Sequence, residues 1–440
     1  MEYRSALEFL NSFINYERHT GYRYDARRFN LDRMRRILEK LGNPHLGRKA
    51  IHIAGTKGKG STACMISSVL TDAGYKVALY TSPHLVTPRE RFRINGEMIP
   101  EERFTRLVEE IQPVAEEMRH DEELGDLTFF ELYTAMGFLW FSREEADVWV
   151  VETGLGGRLD ATNVLRPILA VVTPIGFDHT HLLGDTLQAI AAEKAGIIKP
   201  GVPVICATQT EEAMEVIIER CDRVRAKLIR VDEVASVEME ASSPAGMRFS
   251  AEALGRRYEN LFLPLLGRHQ VHNALTALTA IESLGKRGME IPPKAVRTGL
   301  ARVKWPARIQ VIREKPTVIL DVAHNVDSIR ALRQTLQEIF RYDEALVIFG
   351  ASTDKDLEGM ASELRRLTDT VIATGVPDNP RMLSPLELKA KFEGMFDRVL
   401  VSEEVLGALS TALSIAKPDD LICITGSFYH VGEFMRHIKP

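Results

Sequence analysis

A chain of 440 residues is longer than one hydrophobic core usually organises, so two domains are expected. Lys and Arg number 56 and Asp and Glu 61, a formal net charge of −5 without a long run of one sign, which excludes polyanion binding as the main task. Apolar residues at 45% and charged residues at 27% exclude a disordered chain, and no apolar run nears the ~18–20 residues that span a bilayer.

Read in chain order, Met1–Ser5 carries an early acidic residue and no apolar stretch, so no signal peptide is expected. From residue 49, short apolar runs alternate with helical stretches, the pattern of an α/β domain with a largely parallel sheet. The runs predict strands at Ala50–Ala54, Val77–Ser82, Asp147–Glu152, Ile168–Thr173 and Val202–Ala207, and a helix over Thr62–Ala73 ended by Gly74. Val234–Leu266 reads differently: short alternations broken by Gly, Pro and Ser predict antiparallel strands ahead of a long helix, Arg268–Leu284. A second series starts near Ala307, with strands predicted at Thr317–Val322, Ala345–Gly350, Thr370–Thr374, Val399–Val401 and Leu421–Thr425. The stretch from Pro292-Pro293 to Pro306 reads as the hinge between the two series. Cys64, Cys206, Cys221 and Cys423 are scattered without a CxxC pair, so the expectation is a reducing cytoplasm and neither a disulfide scaffold nor a cysteine zinc site.

The strand at Ile51–Ala54 runs into Gly55-Thr56-Lys57-Gly58-Lys59-Gly60-Ser61-Thr62 and then a helix. Strand, glycine-rich turn and helix N-terminus form the layout that binds phosphate, because glycines let backbone N–H groups close on the oxygens and the helix dipole adds positive charge. Lys59 would reach the β- and γ-phosphates and a following hydroxyl can ligate Mg²⁺. Gly60 separates Lys59 from Ser61, so the spacing is not the ordinary Walker A. A dinucleotide fingerprint fails too, since the intervals are wrong both at Gly55, Gly58 and Gly60 and at Gly154, Gly156 and Gly157. The expected fold is α/β. A larger N-terminal P-loop ATPase-like domain, residues 1–302, has a mostly parallel sheet, and a smaller C-terminal Rossmann-like α/β domain covers 303–440.

The octapeptide Gly55–Thr62 resembles the phosphate loop of the Mur ligase superfamily, and of its folylpolyglutamate synthase branch in particular. Seven further segments agree in order: Thr81–Leu85, Glu152–Asn163, Asp178–Gly184, Glu193–Ile197, His269–Ala274, Trp305–Arg308 and Asp321–Asn325, and Thr425-Gly426-Ser427 closes the series. Ser82-Pro83-His84-Leu85 followed by Arg89–Ile94 favours the folate branch over the muramyl ligases. Val322 and Val326 stand where the family often has glycine and proline.

The resemblance implies an ATP-dependent acid–amino-acid ligase. A carboxylate takes the γ-phosphoryl group of ATP, and the amine of L-glutamate then displaces phosphate from the acyl phosphate. ATP would be held by Gly55, Thr56, Gly58, Lys59, Gly60, Ser61, Thr62, Asn273, Arg308, Asp321 and His324. Two Mg²⁺ would be held by Ser61, Ser82, Glu152, His179 and Lys194, the last carbamylated; Lys59, Lys194, His179 and Glu152 form the implied catalytic set. Each residue also has a plain reading. Glu152 can be an N-cap or surface charge, His179 a loop histidine, Lys194 a solvated helix lysine and Asn273 a core amide. Asp354-Lys355-Asp356 lacks the Asn of a guanine-reading motif and is given no role.

By the same resemblance the pterin site lies at Asn30, Leu31, Asp32, Thr128, Phe129, Phe130, Glu131, Leu159, Asp160 and Ala161. Phe130 can pack on a flat ring and Asp160 can accept its N–H groups, or else close an Asx turn before Ala161. The Arg158-Leu159-Asp160 wording favours a bifunctional enzyme that adds L-glutamate to dihydropteroate and to folates, with folylpolyglutamate synthesis alone or another Mur-type ligation as alternatives. The expected partners are small molecules, with no nucleic acid and no membrane, and the expected state is a monomer.

Overall fold

The computed structural model describes residues 1–17, 29–121, 123–376 and 379–437. Strands β1 (Ala50–Ala54), β2 (Val77–Tyr80), β3 (Phe92–Ile94), β4 (Glu97–Met98), β5 (Val148–Glu152), β6 (Leu169–Val172), β7 (Val204–Cys206) and β8 (Leu228–Arg230) form one sheet in the order β8-β7-β6-β1-β5-β2-β3-β4. Pairing is parallel from β8 to β2 and antiparallel at the β2-β3-β4 edge. Every residue of β1, β2, β5, β6 and β7 is buried, as expected of strands covered on both faces. Register aligns the loops: Ile53 lies opposite Glu152, and Ala54 opposite Val172. The chain segments leaving β1, β5 and β6 therefore emerge at one edge, where open α/β sheets bind ligands.

Three antiparallel strands follow, β9 (Ala235–Ser243), β10 (Gly246–Ala253) and β11 (Arg256–Leu263), and then the helix Arg268–Gly285. The second large sheet holds β12 (Gln310–Glu314), β13 (Thr317–Leu320), β14 (Ala345–Phe349), β15 (Thr370–Thr374), β16 (Arg398–Ser402) and β17 (Leu421–Thr425) in the order β12-β13-β17-β14-β15-β16. Only β12 runs antiparallel there. The charged, proline-interrupted run around Lys315-Pro316 hid the β12–β13 hairpin from a reading based on apolar runs. The edge strand β8, between basic residues, was missed for the same reason.

The segment read as a hinge is mostly helical. Pro293–Ala301 forms a helix that packs on the helix Lys59–Asp72 so closely that a Cβ at Gly299 would meet the Val69 Cα at 2.5 Å. Ser68 Oγ donates to Gly299 O at 2.7 Å across the same contact. The crossing between the sheets thus narrows to the residues after Ala301. Among the described residues no helix is long and apolar enough to cross a membrane, and the four cysteines are buried free thiols.

Candidate active site

The phosphate loop owes its shape to its glycines. Gly55 (φ +152°) passes so close to β6's end that a Cβ would lie 1.9 Å from Thr173 Oγ1. Gly58 (φ +79°) caps the helix Lys59–Asp72 in the left-handed region, with Asn273 Oδ1 2.2 Å from where a Cβ would stand. Thr56 and Lys57 donate their backbone N–H groups to Pro174 O at 3.0 and 3.1 Å, and Thr56 Oγ1 lies 3.1 Å from Gly176 O. The first half of the loop is thereby pinned to the chain beyond β6, which leaves the helix-start amides as the group that can face an anion. Gly58→Ala is expected to cost about 1–3 kcal/mol through left-handed strain and the Asn273 clash, lowering Tm and weakening ATP binding together. Unchanged melting and unchanged ATP affinity by calorimetry would refute this account of the loop.

One cavity of about 930 Å³ collects most of the expected residues from both sheets: Gly55, Thr56, Gly58, Lys59, Gly60, Ser61, Ser82, Glu152, His179, Lys194, Asn273, Arg308, Asp321 and His324. Its size suits a small-molecule site. Asn30, Leu31, Thr128, Phe130, Glu131, Leu159, Asp160 and Ala161 line the same cavity. Three expected residues do not. Thr62 is fully buried beside Ser61, Phe129 packs in the core 4.2 Å from the Tyr133 ring, and exposed Asp32 pairs with Arg35. Each lies on a helix next to a residue that does line the cavity, and because successive helical side chains point about 100° apart, these three are the ones turned to the core or to solvent.

Glu152 is neither an N-cap nor a surface charge: it closes β5 at 4% exposure. Its Oε1 lies 3.8 Å from Lys59 Nζ, and Oε2 accepts the Ser82 N–H at 3.3 Å. Burial raises its pKa and the Lys59 charge opposes that rise. Lys194, 5% exposed, is not a solvated lysine. Its Nζ donates to Gly55 O at 2.9 Å, and burial, with Lys59 adding like charge, pushes its pKa down to about 7. Asn273, 7% exposed, donates to Gln270 Oε1 at 3.1 Å.

From the second sheet, Asp321 accepts the N–H groups of Ile309 and Ala323 at 3.0 and 2.8 Å, which folds its own loop. Arg308 stacks its guanidinium 5.1 Å over the Phe428 ring, and burial lowers its pKa. His179, left-handed at φ +50°, follows Asp178. Asp178 joins the domains: Lys355 Nζ donates to its Oδ1 at 3.0 Å, and His324 Nε2 lies 3.6 Å from Oδ2. Burial alone would raise the Asp178 carboxyl, but His324 and the Lys355 ammonium beside it hold it well below its ordinary value.

Two expectations for the pterin wall are revised. Glu131 caps its own helix with Thr128 and is ion-paired to buried Arg33 at 2.9 Å. Asp160 accepts the Gly154 and Leu155 amides at 2.9 Å each, the Thr162 N–H at 3.0 Å and the Thr162 hydroxyl. That is the Asx-type turn, and it leaves no spare lone pair for a pterin. Phe130, by contrast, does face the cavity, with a Cβ at Gly154 only 2.4 Å from its Cζ.

Residues without a sequence role also enter the cavity wall. Glu17 clamps buried Arg91 through two hydrogen bonds of 2.8 and 2.6 Å, while its carbonyl accepts Arg381 at 2.8 Å and the Tyr429 hydroxyl at 2.6 Å. Lys57 reaches Asp327 across the domains. For Lys355 a signal existed, the Asp-Lys-Asp run after β14; a lone Glu17 carries none.

The donor set can be tested against a divalent cation. Among the described residues no group of three or more His, Cys, Asp or Glu side chains could hold a metal. Ser61, Ser82 and Glu152 offer hard oxygens around Lys59, a set that fits Mg²⁺ when phosphate oxygens complete the coordination.

Fold and site together define a two-domain enzyme whose phosphate loop, half-buried Lys59 and buried Lys194 face residues of a second α/β sheet. Family models match the Mur ligase middle domain over residues 53–281 and the Mur ligase, glutamate ligase domain over 307–428. The chain is 36% identical over 411 residues to the dihydrofolate synthase/folylpolyglutamate synthase of Bacillus subtilis, covering 93% of this chain and 95% of that one. It is 34% identical to the folylpolyglutamate synthase of Lacticaseibacillus casei, covering 98% and 97%. Among solved structures, Mycobacterium tuberculosis folylpolyglutamate synthase complexed with ADP superposes with a TM-score of 0.92 at 33% identity, covering 100% and 99%. The chain belongs to the Mur ligase family, in its folylpolyglutamate synthase/dihydrofolate synthase branch, and is an ATP-dependent ligase.

Proposed function

We propose that this ligase is bifunctional, adding L-glutamate to dihydropteroate and to tetrahydrofolates. The observation that carries the reading is the single cavity, in which the phosphate loop, Glu152 and Lys194 share walls with Phe130, Leu159 and Ala161. A similar solved structure, at a TM-score of 0.86 and 32% identity, is a complex of a folylpolyglutamate synthase with AMPPCP and folate, which supports placing both substrates here.

In this reading residues 1–302 bind ATP and the pterin, and 303–440 bring Arg308, Asp321 and His324 to the nucleotide. Ser61, Ser82 and Glu152 would hold one Mg²⁺, with His179 and carbamylated Lys194 at a second. When bound, the ions supply charge neutralisation among crowded oxyanions. Lys59 and the helix-start amides hold the triphosphate while the substrate carboxylate attacks the γ-phosphorus and ADP leaves. The glutamate amine then attacks the acyl carbon, and the tetrahedral intermediate expels phosphate. Phe130 stacks on the pterin, and Asn30, Leu31, Leu159 and Ala161 complete its wall. Scattered, buried free thiols suit a reducing cytoplasm, and the enzyme is read as a monomer.

Labelled L-glutamate offered with either dihydropteroate or tetrahydrofolate tests the reading. ATP-dependent incorporation into both is expected. Incorporation into tetrahydrofolate alone reduces the enzyme to polyglutamylation, and incorporation into neither, with turnover on UDP-muramyl substrates, sinks the folate reading.

A further inference from the structure

From Asp160 in the cavity wall a buried polar array runs inward to Thr162 and His52, which do not line the cavity, and none of the steps above uses it. Asp160, at 3% exposure, is filled by four donors, two of them from Thr162. Burial raises the Asp160 pKa, and the four donors oppose that rise; three of them are backbone N–H groups, which can only donate, and this arrangement favours the carboxylate as the acceptor of all four. An ionised carboxylate only accepts, so the Thr162 hydroxyl proton points at Asp160. The Thr162 oxygen must then accept from His52 Nε2, 2.8 Å away. This direction makes His52 the Nε2–H tautomer and leaves Nδ1 bare. Nδ1 is buried and has no hydrogen-bond partner among the described residues. Both Thr162 and His52 are 0% exposed.

The array joins two parts of the site. His52 sits on β1, three residues before the phosphate loop begins at Gly55. Thr162 lies in the short turn Ala161–Val164, which Asp160 caps. Through Asp160 the array holds the Gly154–Leu155 amides, and Gly154 is pressed on the Phe130 ring just two residues after Glu152. A hydroxyl lost at Thr162 would leave both Asp160 Oδ1 and His52 Nε2–H short of a partner in a dry interior, where such groups move to find new ones.

We propose that His52 and Thr162 are positioning residues for the ligation: with Asp160 they set the Gly154–Leu155 turn against Phe130 and so fix where the acyl substrate lies, without touching it. The identity of that substrate rests on the folate-ligase reading. The array itself does not.

Thr162→Val removes the hydroxyl at nearly constant volume. The expected result is a rise of about 10-fold in KM for tetrahydrofolate, with KM for ATP changed less than about twofold, and recovery in Thr162→Ser. Equal rises for both substrates, or a lower Tm with both KM values unchanged, would assign the array to stability alone and overturn the proposal. Nitrogen NMR of His52 supplies a readout that needs neither substrate nor the valine variant to fold. An Nε2–H tautomer in the wild type supports the array, and an Nδ1–H tautomer overturns it. If the wild type ligates no folate while His52 is the Nε2–H tautomer, the substrate reading fails and the array stands.

Discussion

Lys59→Ala is expected to lower kcat/KM for ligation about 10³-fold, roughly 4 kcal/mol of transition-state stabilisation. The lysine opens the helix Lys59–Asp72, and its Nζ is held 3.8 Å from Glu152 Oε1 at the cavity wall. In the proposed reading this puts its amine where the phosphoryl oxygens gather. Removing it has a second cost. Glu152 is buried, its pKa is already raised, and the Lys59 charge is the main influence that opposes the rise. The variant therefore loses a cation and biases a carboxylate towards its neutral acid. Lys59 keeps 17% side-chain exposure, so the fold should survive its truncation. Labelled-glutamate incorporation, read beside ATP binding and thermal melting, separates the effects. Turnover within tenfold of the wild type in a folded variant would remove Lys59 from the chemistry.

Lys194→Met is expected to cost at least about 10²-fold in ligation and to abolish uptake of labelled bicarbonate as a carbamate. Only a neutral amine attacks carbon dioxide, and a lysine at its ordinary 10.5 is almost wholly charged at neutral pH. Burial, then the Lys59 charge, brings Lys194 to about 7, where about half of it is neutral. The hydrogen bond to Gly55 O keeps that nitrogen beside the phosphate loop. The sign of the stability effect follows. Between pH 7 and 10.5 the unfolded chain holds this proton and the native chain does not, so native stability rises with pH across that window. Below 7 both forms are charged and the full burial penalty applies. Urea unfolding near pH 6 and pH 9 should show the wild type gaining on Lys194→Met at the higher pH. A gap independent of pH would contradict the lowered pKa, and a bare amine in the nucleotide-bound enzyme would contradict the carbamate.

Much of the fold was legible because its signals are local. The run Leu421–Thr425 is apolar and bounded by polar residues, and it is a fully buried strand with the bounds its pattern predicted. The phosphate loop could be read from glycines between strand and helix because each need is met within eight residues. What failed was direction. The helix Phe129–Arg143 is buried on nearly every side, so no periodic contrast says that Phe130 rather than Phe129 faces the cavity. Asp160 read equally well as a ligand or as a turn residue, and only the positions of Gly154, Leu155 and Thr162 show that its lone pairs are taken.

The buried parallel strands, the nucleotide loop and the ligase family were thus determined by the sequence alone, since each rests on short runs of neighbours in the chain. Which face of each helix meets the cavity was decided by the tertiary structure. So was the joining of Asp178 to Lys355, 177 residues away, and of Glu17 to Arg381, 364 residues away. Such contacts form only when distant segments pack together: Asp178 and Lys355 taken singly look like ordinary surface charges, and Glu17 accepts from Arg381 through its backbone carbonyl, which no side-chain pattern reveals.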